Sequence, residues 1–229
     1  MATNSRSGVF AQALAGLKRR GSGLLVVGAA CSETHVGVCR RLLGDAASSD
    51  RRRLVVLTDG VPGAGARTDG GDQTTLQVID RRPTTRGATS AATGSSSVSS
   101  DLETLRREVV AAVESFEREA GDLAPAELRV CVDSLRALVD GHGEAEVRTF
   151  LASVVEETRS RGGMCHVHLP ASADSEAVER FADLFDATVE VRAVDREVDE
   201  HAVDLHGPVA VEQRWHLREE DIETDWLPL

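Results

Sequence analysis

The chain of 229 residues predicts a single α/β domain: a mostly parallel sheet covered by helices on both faces, three layers in all. Three observations carry this. Four short, mostly apolar runs end at turn residues, as strands buried on both faces do. Helical periodicity fills the stretches between them, and right-handed crossovers then make the strands parallel. Near the C-terminus the period changes to two, which marks strands with one wet face and predicts an antiparallel hairpin at the sheet edge.

Val9, Phe10, Ala13, Leu14 and Leu17 repeat at helical spacing and stop at Gly21-Ser22-Gly23, which predicts a first helix. Leu24 to Val27 is the first buried strand, and it runs into Gly28. Ser32 is placed to cap the next helix, with Glu33 in its first turn and Val36, Cys39 and Leu43 as its inner face. Leu54 to Leu57 is the second strand, ended by Thr58-Asp59-Gly60. Residues 61–100 form a low-complexity insertion rich in Gly, Ser, Thr, Ala and Pro. Only Thr75 to Ile79 within it reads as a short edge strand, and disorder is expected after Arg86. Ser100-Asp101-Leu102-Glu103 fits a capping box ahead of a helix carrying Leu102, Leu105, Val109, Val113 and Phe116. Leu128 to Val132 is the third strand and ends in Asp133-Ser134. A helix with Val147, Phe150, Leu151, Val154 and Val155 leads to the fourth strand, Met164 to Leu169. After a short helix through Val178 and Phe181, Val189-Val191-Ala193 and Val209-Val211-Trp215-Leu217 alternate as the two arms of the hairpin. Residues 218–229 form an apolar tail containing Trp226, placed either to pack or to dock on a partner.

Composition narrows the function classes. A formal net charge of −12 argues against nucleic acid as a partner, because phosphate contacts need clustered cations. Arg51-Arg52-Arg53 is the one candidate patch, and a solvated turn is its simpler reading. Of the 26 cationic residues only Lys18 is a lysine. Acidic excess with almost no lysine suits concentrated salt, and the composition resembles that of haloarchaeal cytoplasmic proteins. A high-GC bacterial origin is the alternative. Neither a signal peptide nor a membrane-spanning run is read from the sequence, so the expected location is cytoplasmic. Cys31, Cys39, Cys131 and Cys165 lack C-x-x-C spacing and indicate neither a zinc knuckle nor a disulfide framework; three of them read as small core residues.

A buried strand entering Gly28 and then a helix occupies the place of a phosphate-binding loop, and the strand ending Asp133-Ser134-Leu135 looks like a Walker B strand. With the outgoing hairpin, this element order resembles RecA/KaiC-like ATPases from about residue 10 to about residue 217. The whole chain, with its TDWLPL ending, is also similar to a haloarchaeal family of unknown function related to those ATPases. The loop pattern G-x-x-x-x-G-K-[ST] is nevertheless broken. Counted from Gly28, the second glycine is Glu33, the lysine is Thr34 and the Ser/Thr is His35. Glu33 would add repulsion of about 1 to 4 kcal/mol at roughly 4 Å from a phosphate, and no Gly-Lys pair occurs anywhere in the chain. The resemblance therefore implies the fold without ATP hydrolysis, and no cofactor is expected.

Other groupings carry alternative chemistry. Asp133 alone makes a poor magnesium cage. His166 and His168 share a strand face and, with Asp133 or Asp59, could ligate a metal; hydrogen-bonded or wet polar groups are the plainer reading. Cys31, Ser32 and His35 gather at a helix N-terminus, without a third group to orient a nucleophile. The expectation is a non-catalytic regulatory or signalling module that acts through protein contacts, as a monomer or homodimer without a membrane partner. The alternative is an enzyme or metal-dependent binder using Asp133 and His168 in the crevice at the strand C-termini.

Overall fold

The computed structural model describes residues 3–29, 32–44, 51–59, 75–82, 97–194 and 210–229. Their elements are α1 (Thr3–Arg20), β1 (Ser22–Val27), α2 (Ser32–Leu43), β2 (Arg52–Leu57), β3 (Leu76–Asp80), α3 (Ser97–Ala120) and β4 (Leu128–Val132). Then follow α4 (Arg136–Gly141), α5 (Glu144–Arg159), β5 (Met164–Leu169), α6 (Glu176–Ala182), β6 (Ala187–Val194), β7 (Ala210–Leu217), β8 (Ile222–Glu223) and β9 (Leu227–Pro228). The strands form one sheet in the order β3-β2-β4-β5-β1-β6-β7-β8, with β9 also paired to β7. Pairing is parallel from β3 through β6 and antiparallel where β7 meets β6, β8 and β9. The mostly parallel α/β sheet and its terminal hairpin are thus as the sequence pattern predicts.

Strand alternation sends side chains to two different cores. Leu25, Val27, Leu54, Val56, Val130, Val132, Cys165 and Val167 pack with Leu105, Val109 and Phe116 of α3, Phe150 and Leu151 of α5, and Phe181 of α6. The other face carries Leu24, Val26, Val189 and Val191 under Ala13 and Leu17 of α1 and Val38 of α2. Beside them lie Val55, Leu57 and Cys131 under Cys39 and Leu43 of α2. Each Leu or Val fully buried this way contributes roughly 1.5–3 kcal/mol. Among the described residues, no helix is long and apolar enough to cross a membrane.

The tail belongs to the sheet. Leu227 and Pro228 pair with Gln213 and Glu212, and Leu229 N–H donates to Val211 O at 2.9 Å. The Trp226 ring lies under Arg192, 3.9 Å from ring centroid to guanidinium carbon, and Arg214 approaches it at 5.2 Å. Trp215 is buried in the hairpin, edge-on to Phe10.

The structure differs from the sequence expectations at three helices. Helix α3 begins at Ser97, ahead of the expected Ser100 cap; the side chains of residues 97–101 lie outside the described set. The buried stripe of α2 runs through Thr34, His35, Val38, Cys39 and Leu43, whereas Val36 is only half-buried, because two inward positions are polar and hide the period. Helix α4 has six residues, too few for periodicity to show. The expected edge strand at residues 75–79 is β3, while the expected disorder after Arg86 falls largely outside the described residues.

Gly28 fixes how β1 leaves the sheet. Its φ of +142° is open only to glycine, and a Cβ there would stand 2.2 Å from the Val191 carbonyl oxygen. Gly28→Ala is expected to destabilise the fold by about 2–4 kcal/mol, combining backbone strain with a clash on unyielding main chain. Urea unfolding followed by circular dichroism checks this, and a loss below about 0.5 kcal/mol would contradict the geometry.

Candidate functional site

The chain leaves β1 for α2 on one face of the sheet and leaves β5 for α6 on the other. Since β1 and β5 are neighbours, their C-terminal ends mark the switch point where open α/β sheets place ligands. Here that point is stitched together. Gly28 N–H donates to Ala171 O at 2.8 Å, tying the exit of β1 to the segment after β5.

His35, in the first turn of α2, fills the space behind this link and is 1% exposed. Its Nε2 lies 3.0 Å from Gly28 O and its Nδ1 lies 3.1 Å from His168 Nδ1. A carbonyl only accepts, so His35 carries its proton on Nε2 and accepts on Nδ1. His168 must then donate from Nδ1, which leaves its lone pair on Nε2. The tautomers of both rings thus follow from one carbonyl. Thr34 is also buried, whereas Glu33 points to solvent. The three residues that replace the phosphate-loop consensus therefore divide into one outside and two packed into the fold. Cys31 lies outside the described residues, as does the Ser32 side chain, so the Cys31-Ser32-His35 grouping has only His35 placed.

Asp133 ends β4, one strand beyond β5. It is 4% exposed and turned toward the end of β2: Thr58 N–H donates to its Oδ1 at 2.7 Å, and Thr58 Oγ1 lies 2.8 Å from the same oxygen. Thr58 Oγ1 also reaches Ser134 O at 2.5 Å, and Ser134 Oγ donates to Asp59 Oδ2 at 3.2 Å. This carboxylate ties the ends of β2 and β4 together.

His166 and His168 do share a face, but their companions are cysteines. Cys131 sits beside His166 in the β4–β5 register, and Cys39 comes down from α2. Cys39 Sγ lies 3.3 Å from Cys131 Sγ and 3.4 Å from His166 Nε2. One donor atom from each of Cys39, Cys131, His166 and His168 falls within 4.8 Å of every other, and all four residues are buried. Neither Asp133 nor Asp59 belongs to this group. Burial opposes ionisation of the Cys39 thiol, but hydrogen bonds from Cys131, His166 and His168 and the charge of His166 outweigh it and hold the group well below its ordinary range. On the opposite face, burial alone pushes the Cys165 thiol up to about 12. Two cysteines equally hidden from water thus have opposite chemistry, set by their neighbours. Spacing could not reveal the group, since Cys39 and Cys131 are 92 positions apart.

The arginine triplet is turned to internal use. Arg53 is buried and its Nε reaches the Leu43 carbonyl, 3.4 Å away at the end of α2. Arg52 pairs with Glu127 and Glu119. Arg129 supports the same helix end through Leu42 O at 3.2 Å, and burial together with Arg51 and Arg53 brings its pKa down to about 10.

A model of the family of unknown function DUF7504 matches residues 21–191. The chain belongs to this family. No curated protein matches it. The DUF7504 match spans Gly28, His35, Cys39, Cys131, Asp133, His166 and His168, so both the stitched switch point and the thiol–imidazole group lie within the family's own extent.

Replacing Asp133 with Ala leaves the buried Thr58 N–H without its carboxylate and is expected to cost about 2–3 kcal/mol, while Asp133→Asn, which keeps an acceptor, loses less. Chemical unfolding of the two variants measures the difference; equal losses would show that the acceptor is not what matters.

Proposed function

We propose that this DUF7504 chain is a RecA/KaiC-like domain that binds no nucleotide, hydrolyses no ATP and serves as a regulatory or signalling module through protein contacts. The observation that carries the reading is the imidazole of His35, seated between Gly28 O and His168 where a phosphate loop would keep its cradle open. Support for the ancestry comes from the sheet: the strands ending at Gly28 and Asp133 are parallel members of it, separated by β5 alone. A phosphate cradle needs main-chain N–H groups directed at the ligand and a lysine to offset its charge. In this chain the Gly28 N–H is given to Ala171 O, Thr34 stands at the lysine position, and the exposed Glu33 stands at the second glycine position.

The rival reading, an ion bridged by Asp133 and His168, draws less support. Asp133 faces Thr58, and His168 is oriented by His35. A nucleic-acid role draws little support either, since Arg52 and Arg53 are engaged within the protein. The acidic, lysine-poor composition favours a protein working in concentrated salt, inside the cell.

Titration with ATP and Mg²⁺ in molar KCl, followed by calorimetry, is expected to give no saturable binding. Micromolar affinity for ATP would remove the proposal. Affinity capture at the same salt is expected to retain a protein partner, and that partner's contacts with the domain should be unaffected by added ATP.

A further inference from the structure

We infer that Cys39, Cys131, His166 and His168 form a closed, tetrahedral Cys₂His₂ site for Zn²⁺ or a similar borderline-soft divalent ion, clamping α2 onto β4 and β5. The inference is independent of the nucleotide reading. It rests first on donor chemistry: two sulfurs and two imidazoles are the set that tetrahedral zinc takes in structural sites. It rests second on size. Zinc bonds of roughly 2.3 Å to sulfur and 2.0–2.1 Å to nitrogen give a tetrahedron with edges of about 3.3 to 3.8 Å. The S–S edge is the longest of these, about 3.8 Å, and an S–N edge is about 3.6 Å; the Cys39 Sγ contacts of 3.3 Å to Cys131 and 3.4 Å to His166 come within about 0.5 Å of them. All four donors stay within 4.8 Å of one another, so small side-chain adjustments complete the polyhedron.

The third argument is the support around the donors. Ligating histidines hold their second nitrogen in an outer hydrogen bond that fixes ring and tautomer. His168 has this support in His35 Nδ1, itself fixed by Gly28 O, and the resulting tautomer places the lone pair on Nε2. The remaining walls are apolar: Leu43, Val55 and Leu57 pack around the two cysteines and exclude water. With four protein donors and no wet side, the site has no position for a substrate, which assigns it to structure rather than catalysis. Binding would join the helix to the middle of the sheet, with donors from three elements distant in sequence.

The test uses the full chain, purified under reducing conditions, stripped of metal and titrated with Co²⁺ and then Zn²⁺. One Co²⁺ per chain should bind and give the intense visible ligand-field bands and near-ultraviolet thiolate charge-transfer band of a tetrahedral S₂N₂ centre, and Zn²⁺ should abolish both. Cys39→Ser leaves Cys131 as the one thiolate and is expected to cut the charge-transfer intensity about twofold or weaken Co²⁺ binding at least tenfold. Cys165→Ser, equally buried on the other face, should leave the spectrum unchanged. Should Cys39→Ser fail to fold, X-ray absorption at the zinc edge of the unmodified chain decides. Two sulfur and two nitrogen scatterers support the site. A shell of nitrogen and oxygen only, metal at less than one per chain after reconstitution, or a Cys39–Cys131 disulfide in place of metal would each overturn it.

Discussion

The exit of β1 constrains the rest of this fold. Gly28 takes a φ of +142° under the Val191 carbonyl, gives its N–H to Ala171 and offers its carbonyl to His35. Four segments therefore meet at one residue: β1, the start of α2, the loop after β5 and strand β6. Because main-chain atoms supply most of these contacts, relief by a rotamer change is not available. A carbonyl so placed sets the proton on His35, and through it the proton on His168, some distance into the sheet. The turn that leaves β1 is thereby a fastening between four parts of the chain.

The two faces of the sheet divide the labour. The face under α3, α5 and α6 is mostly apolar, its buried Thr158 hydroxyl being given to Val154 O, and Cys165 sits in it as an inert small hydrophobe. The face under α2 has a seam of polar groups through its middle: Thr34, His35, Cys39, Cys131, His166 and His168, all buried. Burying so many hydrogen-bonding groups is costly unless each finds a partner. Here the histidines and cysteines find one another, in a chain that begins at a backbone carbonyl and ends at a pair of thiols.

Much of the architecture was legible in the sequence because it rests on periodicity. The runs at Leu24, Leu54, Leu128 and Met164 are strands, and the switch to period two near Val189 is the hairpin. Elements too short to show a period, α4 and the β8 and β9 pairings, were not legible. At the site, the broken loop pattern identified His35 and the strand spacing identified His166 and His168 as neighbours. Their cysteine companions were hidden for a topological reason. Residues facing each other across a parallel sheet and its crossover helix are brought together by strand order, which linear spacing does not encode. Asp133 shows the converse: its place at a strand end suggested a ligand, and its surroundings make it an acceptor for Thr58.

The placement of the tryptophans has a spectroscopic consequence. The chain has no tyrosine, and its two indoles both belong to the antiparallel margin, Trp215 on β7 and Trp226 in the strip beside it. Trp226 lies against two guanidinium groups, while Trp215 is enclosed and donates to Gln213. Intrinsic emission therefore reports on this margin and on the core that Trp215 shares with Phe10, Leu24 and Val26, and on neither the thiol–imidazole seam nor the core under α3 and α5. A local opening at the β7 edge would change the optical signal while the central layers remained folded.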